Sequence, residues 1–128
     1  MAKTIETGSL APIDNAPSIN AKPISDSTPS KAGKGESAPL SLSTGVFATY
    51  RGNGSFILTI NWGGIHLGSS VMVSISEYSN TANPRGSRFI GAAKFAVNNV
   101  SPFEGGVKVW VDVSWPNPIY IYFDLLIN

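Results

Sequence analysis

His66 is the single histidine of the chain and sits in Gly63-Gly64-Ile65-His66-Leu67-Gly68, beside a glycine-rich turn. An imidazole can act as a general base or a metal ligand, but either role needs an orienting carboxylate or a second ligand nearby. No nucleophile elbow accompanies it, so no Ser-His-Asp set can be assembled. The chain contains no cysteine, which excludes disulfides, thiolate catalysis and Cys-based zinc sites. Gly52 with Gly54, Gly63-Gly64 and Gly105-Gly106 resemble phosphate loops only in their glycines. None is followed by a Lys-Ser/Thr pair and a helical pattern, and they read as turns. The expectation is a chain that is not an enzyme and uses no cofactor.

The richest constellation lies near the C-terminus, where Val107 to Trp115 reads VKVWVDVSW and Ile119 to Ile127 reads IYIYFDLLI. Both stretches alternate strictly, the signature of half-buried β-structure. One face collects Val107, Val109, Val111, Val113, Trp115, Ile119, Ile121, Phe123, Leu125 and Ile127, and is expected to be core. The opposite face carries Trp110, Tyr120 and Tyr122 among Asp112, Asp124, Lys108, Ser114 and Leu126. If the two strands close as a hairpin about Asn117, Asp112 lies opposite Tyr122 and Trp110 opposite Asp124. The two carboxylates are then diagonal neighbours, about 7–8 Å apart. Hard cations take six to eight oxygen ligands, so two strand carboxylates fall short and no metal site is assigned. Aromatic rings with polar handles are enriched at interfaces because they bury large area at low entropic cost. Trp110, Tyr120, Tyr122, Asp112 and Asp124 are therefore the candidate ligand or interface residues.

The elements that must position this face are short strands joined by Gly, Asn and Pro turns. Val46 to Arg51 and Ser55 to Trp62 flank Gly52-Asn53-Gly54, a hairpin signal. A third strand is expected over about Leu67 to Ser76, and a fourth over about Arg88 to Val97, with Gly91 marking a thin spot. Tyr78 to Gly86, YSNTANPRG, reads as a surface loop. Six strands without helical periodicity predict an all-β chain, an antiparallel β-sandwich of jelly-roll type over residues 44–128.

Residues 1–43 differ in kind. Proline recurs at Pro12, Pro17, Pro23, Pro29 and Pro39 among Ser, Ala, Lys and Gly, and apolar residues are sparse. Such a segment cannot bury enough surface to offset its ordering entropy. It is expected to be an extended or disordered N-terminal arm, with Ile5, Leu10, Ile13, Ile19 and Ile24 as anchors for a partner.

Charged residues make up 13% of the 128 residues, with a net charge of +1. Nucleic-acid binding needs clustered Lys and Arg, and is not expected. The N-terminus lacks the apolar run of a signal peptide, and no stretch approaches the ~20 apolar residues of a membrane helix. Synthesis in the cytoplasm is expected, with any release by lysis, virion assembly or a non-classical secretion route. The function these features favour is an interaction or assembly module, homo-oligomeric or bound to a protein partner, of the kind found in a virion, an appendage or a secreted effector. The alternative is a carbohydrate-binding module in which Trp110, Tyr120 and Tyr122 stack on a glycan while Asp112, Asp124, Asn80 and Asn83 hydrogen-bond to it. A weaker alternative is membrane attachment through the same aromatics.

Overall fold

Two strands in which every second residue is apolar can hide those residues side by side under a third layer, or face to face. This chain does the second. The computed structural model describes residues 17–24 and 43–128. Its strands in chain order are β1 Ser18–Asn20, β2 Lys22–Pro23, β3 Thr44–Gly52, β4 Gly54–Asn61, β5 Val71–Tyr78, β6 Arg88–Phe89, β7 Lys94–Phe103, β8 Gly106–Ser114 and β9 Ile119–Ile127. They form a four-stranded sheet, β1-β4-β8-β7, packed on a five-stranded sheet, β2-β3-β9-β5-β6. Apart from the parallel β1–β4 pair, every pairing is antiparallel. The fold is the expected all-β sandwich, and its six long strands correspond to the six anticipated.

The core is the space between the two sheets. Leu58, Ile60, Val107, Val109 and Val111 from one sheet meet Val46, Ile121, Phe123 and Leu125 from the other, all essentially inaccessible to solvent. Burying each such side chain contributes about 1.5–3 kcal/mol.

The strand neighbours differ from those anticipated. β8 and β9 are not a hairpin: β8 pairs with β4 and β7, while β9 pairs with β3 and β5. Residues 115–118 carry the chain from one sheet to the other. Pro116 and Pro118 supply no backbone N–H for a tight ladder, and the crossing lets the two apolar faces bury each other. The same holds at Gly52-Asn53-Gly54, where β3 and β4 lie in opposite sheets rather than pairing. Gly54 takes φ +77° at this crossing, and Asn53 Nδ2 donates to the Trp115 carbonyl at 3.0 Å, tying the two crossings together. The tight hairpin of the sandwich is instead β7–β8, turning at Glu104-Gly105.

Two strand boundaries also move. The third strand begins at Val71 rather than Leu67, which is exposed in a loop. The expected fourth strand is split at its glycine-alanine stretch: β6 pairs with β5 in one sheet, residues 90–93 cross over, and β7 runs ahead to Phe103 in the other.

Part of the anticipated arm belongs to the sandwich. β1 pairs with β4 and β2 with β3, so residues 18–23 border both sheets, with Ala21 buried where the chain steps between them. Asn61 Nδ2 donates to Ser18 Oγ at 2.8 Å and to Asn20 Oδ1 at 3.2 Å. Residues 1–16 and 25–42, including Ile5, Leu10 and Ile13, lie outside the described residues.

Candidate functional site

The crossing at residues 115–118 divides the anticipated aromatic face in two. Trp110 and Asp112 stand on the outer face of the four-stranded sheet. Tyr120, Tyr122 and Asp124 stand on the outer face of the five-stranded sheet, with the whole core between the two groups. Asp112 and Asp124 are therefore not diagonal neighbours and cannot share a ligand. Among the described residues no group of three His, Cys, Asp or Glu side chains is placed to hold a metal ion.

On the four-stranded sheet, Trp110 is half-buried opposite Ile57, and its Nε1 donates to Ser55 Oγ at 3.0 Å. Asn98 first, and Ser55 second, donate to Asp112, and these bonds hold its carboxyl below the ordinary carboxylate range. Asn98 is available because a β-bulge between Val97 and Asn99 throws it out of the ladder.

On the five-stranded sheet, the aromatics form one cluster with arginines. Tyr122 is fully buried and stacks on Phe47, with ring centroids 5.3 Å apart and an interplanar angle of 2°. Tyr78 meets Tyr120 at 5.5 Å and Tyr122 edge-on at 6.5 Å. Arg51 lies 5.2 Å over the Tyr120 ring and Arg88 5.0 Å over the Tyr122 ring. Arg85 Nη1 donates to Tyr122 Oη at 3.0 Å and to Asp124 Oδ1 at 3.2 Å, while Arg88 Nη1 donates to Asp124 Oδ2 at 2.8 Å. The Arg85 guanidinium is held above its ordinary value, chiefly by the bond to Tyr122.

What covers this half of the sheet is the loop between β5 and β6. Its 3₁₀ turn, Arg85–Ser87, delivers the two arginines onto β9. Within the loop, Asn80 Oδ1 accepts from Ala82 N–H and Asn83 Oδ1 from Gly86 N–H. Both asparagines are thus engaged in turn geometry, and the Tyr120 and Tyr122 rings are engaged by neighbours within the chain. The set Trp110, Tyr120, Tyr122 offers no common platform on which a sugar could stack.

His66 is exposed and its Nδ1 lies 3.0 Å from Glu104 Oε1, while Leu67 N–H donates to Glu104 Oε2 at 2.8 Å. These bonds clamp the 62–70 loop to the β7–β8 turn, together with Gly105 N–H to the Ile65 carbonyl at 2.8 Å. The Leu67 N–H first, and His66 second, hold the Glu104 carboxyl below its usual range. The imidazole has the acidic partner that sequence could not locate, in an exposed loop clamp.

Sequence reasoning missed Arg51, Arg85, Arg88, Phe47 and Tyr78, because their meeting depends on which strand flanks β9. The alternation of Phe47, Thr49 and Arg51 was the available signal. At the far end of the same face, Met72 pairs across β5–β9 with Leu126 and both remain exposed, at 68% and 46%. No helix among the described residues is long and apolar enough to cross a membrane. Comparison with protein-family models, with curated proteins and with solved structures finds no match to this chain.

Proposed function

We propose that this chain is a non-enzymatic β-sandwich module that works by self-assembly, contacting its neighbours through the five-stranded sheet. One observation carries the reading. Seven large hydrophobic side chains are exposed among the described residues, and five of them, Met72, Phe89, Ile90, Tyr120 and Leu126, belong to that sheet or directly follow its last strand. Single exposed hydrophobics are ordinary, but the gathering of five on one sheet, with Met72 and Leu126 side by side on its outer face, supports reading that sheet as an interaction surface. Ile90 is fully exposed, at a position where no internal packing requires an apolar residue. The low share of charged residues supports the same reading, since interface cores are depleted of charge.

Sedimentation of the full chain over a range of concentrations tests it. The mass should rise above the 13.5 kDa of one chain, and the double substitution Met72→Glu, Leu126→Glu should return it to the monomer with unchanged far-ultraviolet dichroism. A chain that stays monomeric to millimolar concentration, or whose association ignores the double substitution, overturns the reading.

A further inference from the structure

β5 borders the five-stranded sheet for most of its length, since β6 covers it only at Glu77 and Tyr78. Which backbone groups face outward follows from the ladder with β9. Ser70 and Asn128 exchange both of their hydrogen bonds, Ser70 N–H to the Asn128 carbonyl at 3.3 Å and Asn128 N–H to the Ser70 carbonyl at 2.9 Å. In an antiparallel ladder such pairs alternate, so Met72, Ser74 and Ser76 also turn their backbone groups to β9. Val71, Val73 and Ile75 turn theirs the other way. No described residue bonds to those three N–H and three carbonyl groups.

The other edges of the sandwich are blunted in the usual ways. β7 carries Lys94, Pro102 and the bulge at Asn98; β1 and β2 are three and two residues long, and β2 ends in Pro23. The stretch Val71-Met72-Val73-Ser74-Ile75 has no charge, proline, glycine or bulge, and is the kind of edge that templates another strand.

We infer that this edge pairs antiparallel with the same edge of a second copy, about a two-fold axis at Val73, joining the two five-stranded sheets into one. The inference rests on the self-assembly reading above and specifies its geometry. Three features select a second copy as the occupant. With Val73 opposite Val73, Val71 falls opposite Ile75, so all three outward donors and all three outward acceptors of each chain are satisfied, by six hydrogen bonds in total. The free stretch, Val71 to Ser76, is bounded by β6 at one end and by the start of β5 at the other, and the five residues Val71 to Ile75 of a second copy fit within it. The pairing also keeps faces matched: Val71, Val73 and Ile75 stay on the core side, while exposed Met72 lies beside Ser74 of the other copy, flanked by its own Leu126. No like charges are opposed across the junction.

Two substitutions isolate the edge from the face. Val73→Pro removes an N–H that the β9 ladder does not use, at a position where an edge strand accepts proline. Ser74→Lys keeps every intramolecular backbone bond and places a charge on an exposed side chain beside the junction. In full-length protein, sedimentation should show a two-chain species for the unmodified chain and a monomer for each variant, with the thermal transition retained in Ser74→Lys. Amide exchange at Val71, Val73 and Ile75 should slow as protein concentration rises. An unmodified chain that is monomeric overturns this inference and the self-assembly reading together. A dimer that persists in both variants but is lost in Met72→Glu, Leu126→Glu overturns the edge pairing alone and leaves association through the sheet face standing. Protection of the three amides in a monomer, independent of concentration, also overturns it, since a segment of the same chain then covers the edge.

Discussion

Arg88 donates to Asp124 across 2.8 Å, and in doing so fastens the loop between β5 and β6 to the central strand of the five-stranded sheet. Arg85 shares the same carboxylate at 3.2 Å. One acid therefore holds two arginines, and the loop lies flat over Tyr122. Asp124→Asn should free residues 79–87, seen as faster amide exchange and protease cleavage there. The groups are partly exposed, so solvent screening keeps the cost in global stability to about 1 kcal/mol, read by urea unfolding.

Tyr120 and Tyr122 are equivalent in sequence pattern and unequal in the fold. Tyr122 is fully buried and its hydroxyl accepts from Arg85, whereas Tyr120 is 37% exposed. Tyr122→Ala should cost about 3–5 kcal/mol, as for other large buried rings, and Tyr122→Phe about 1 kcal/mol for the lost hydrogen bond. Tyr120→Ala should cost clearly less than Tyr122→Ala. Denaturant midpoints at constant slope measure all three.

Glu104 gives the fold an acid-sensitive clamp. Its carboxyl titrates below the usual range because the Leu67 N–H and His66 stabilise the charged form. A carboxyl whose folded value is depressed contributes stability that is fully present above its unfolded value and is lost as pH falls through the folded one. Glu104→Gln should therefore flatten the acid limb of the stability curve, below about pH 4, and leave the neutral region nearly parallel to the unmodified chain. Asp112, held down by Asn98 and Ser55, should show the same depression. Carbon-detected side-chain titration of the two residues checks both.

Gly105 turns the β7–β8 hairpin at φ +100°, a backbone region that L side chains seldom enter. Gly105→Ala should destabilise by about 1–2 kcal/mol through this strain alone, since nothing stands within 4 Å of the added Cβ. Thermal unfolding of the variant measures it.

Fold class and core were legible because they depend on local pattern. Val107, Val109, Val111 and Val113 recur at every second position, as do Ile121, Phe123, Leu125 and Ile127, and both sets are buried as that period requires. Asn53-Gly54 and Pro116-Asn117-Pro118 were likewise recognisable as turns. A turn signal says that the chain bends and not whether the next strand lies beside the last or across from it. The two strands within residues 18–23 are not legible in the sequence for a related reason: strands of three and two residues carry too little periodicity to register, and they are held by the neighbours they meet.

What the sequence alone determined is the two-residue period, and with it an all-β sandwich whose apolar faces must be covered. Only tertiary structure decided that β8 and β9 cover each other from opposite sheets. That choice separates Trp110 and Asp112 from Tyr120, Tyr122 and Asp124, gathers Arg51, Arg85 and Arg88 around the tyrosines, and leaves most of β5 without a strand neighbour on one side among the described residues. The physical reason is that side-chain alternation fixes which face of a strand is buried, while the identity of its neighbours is a matter of long-range pairing that no local pattern encodes.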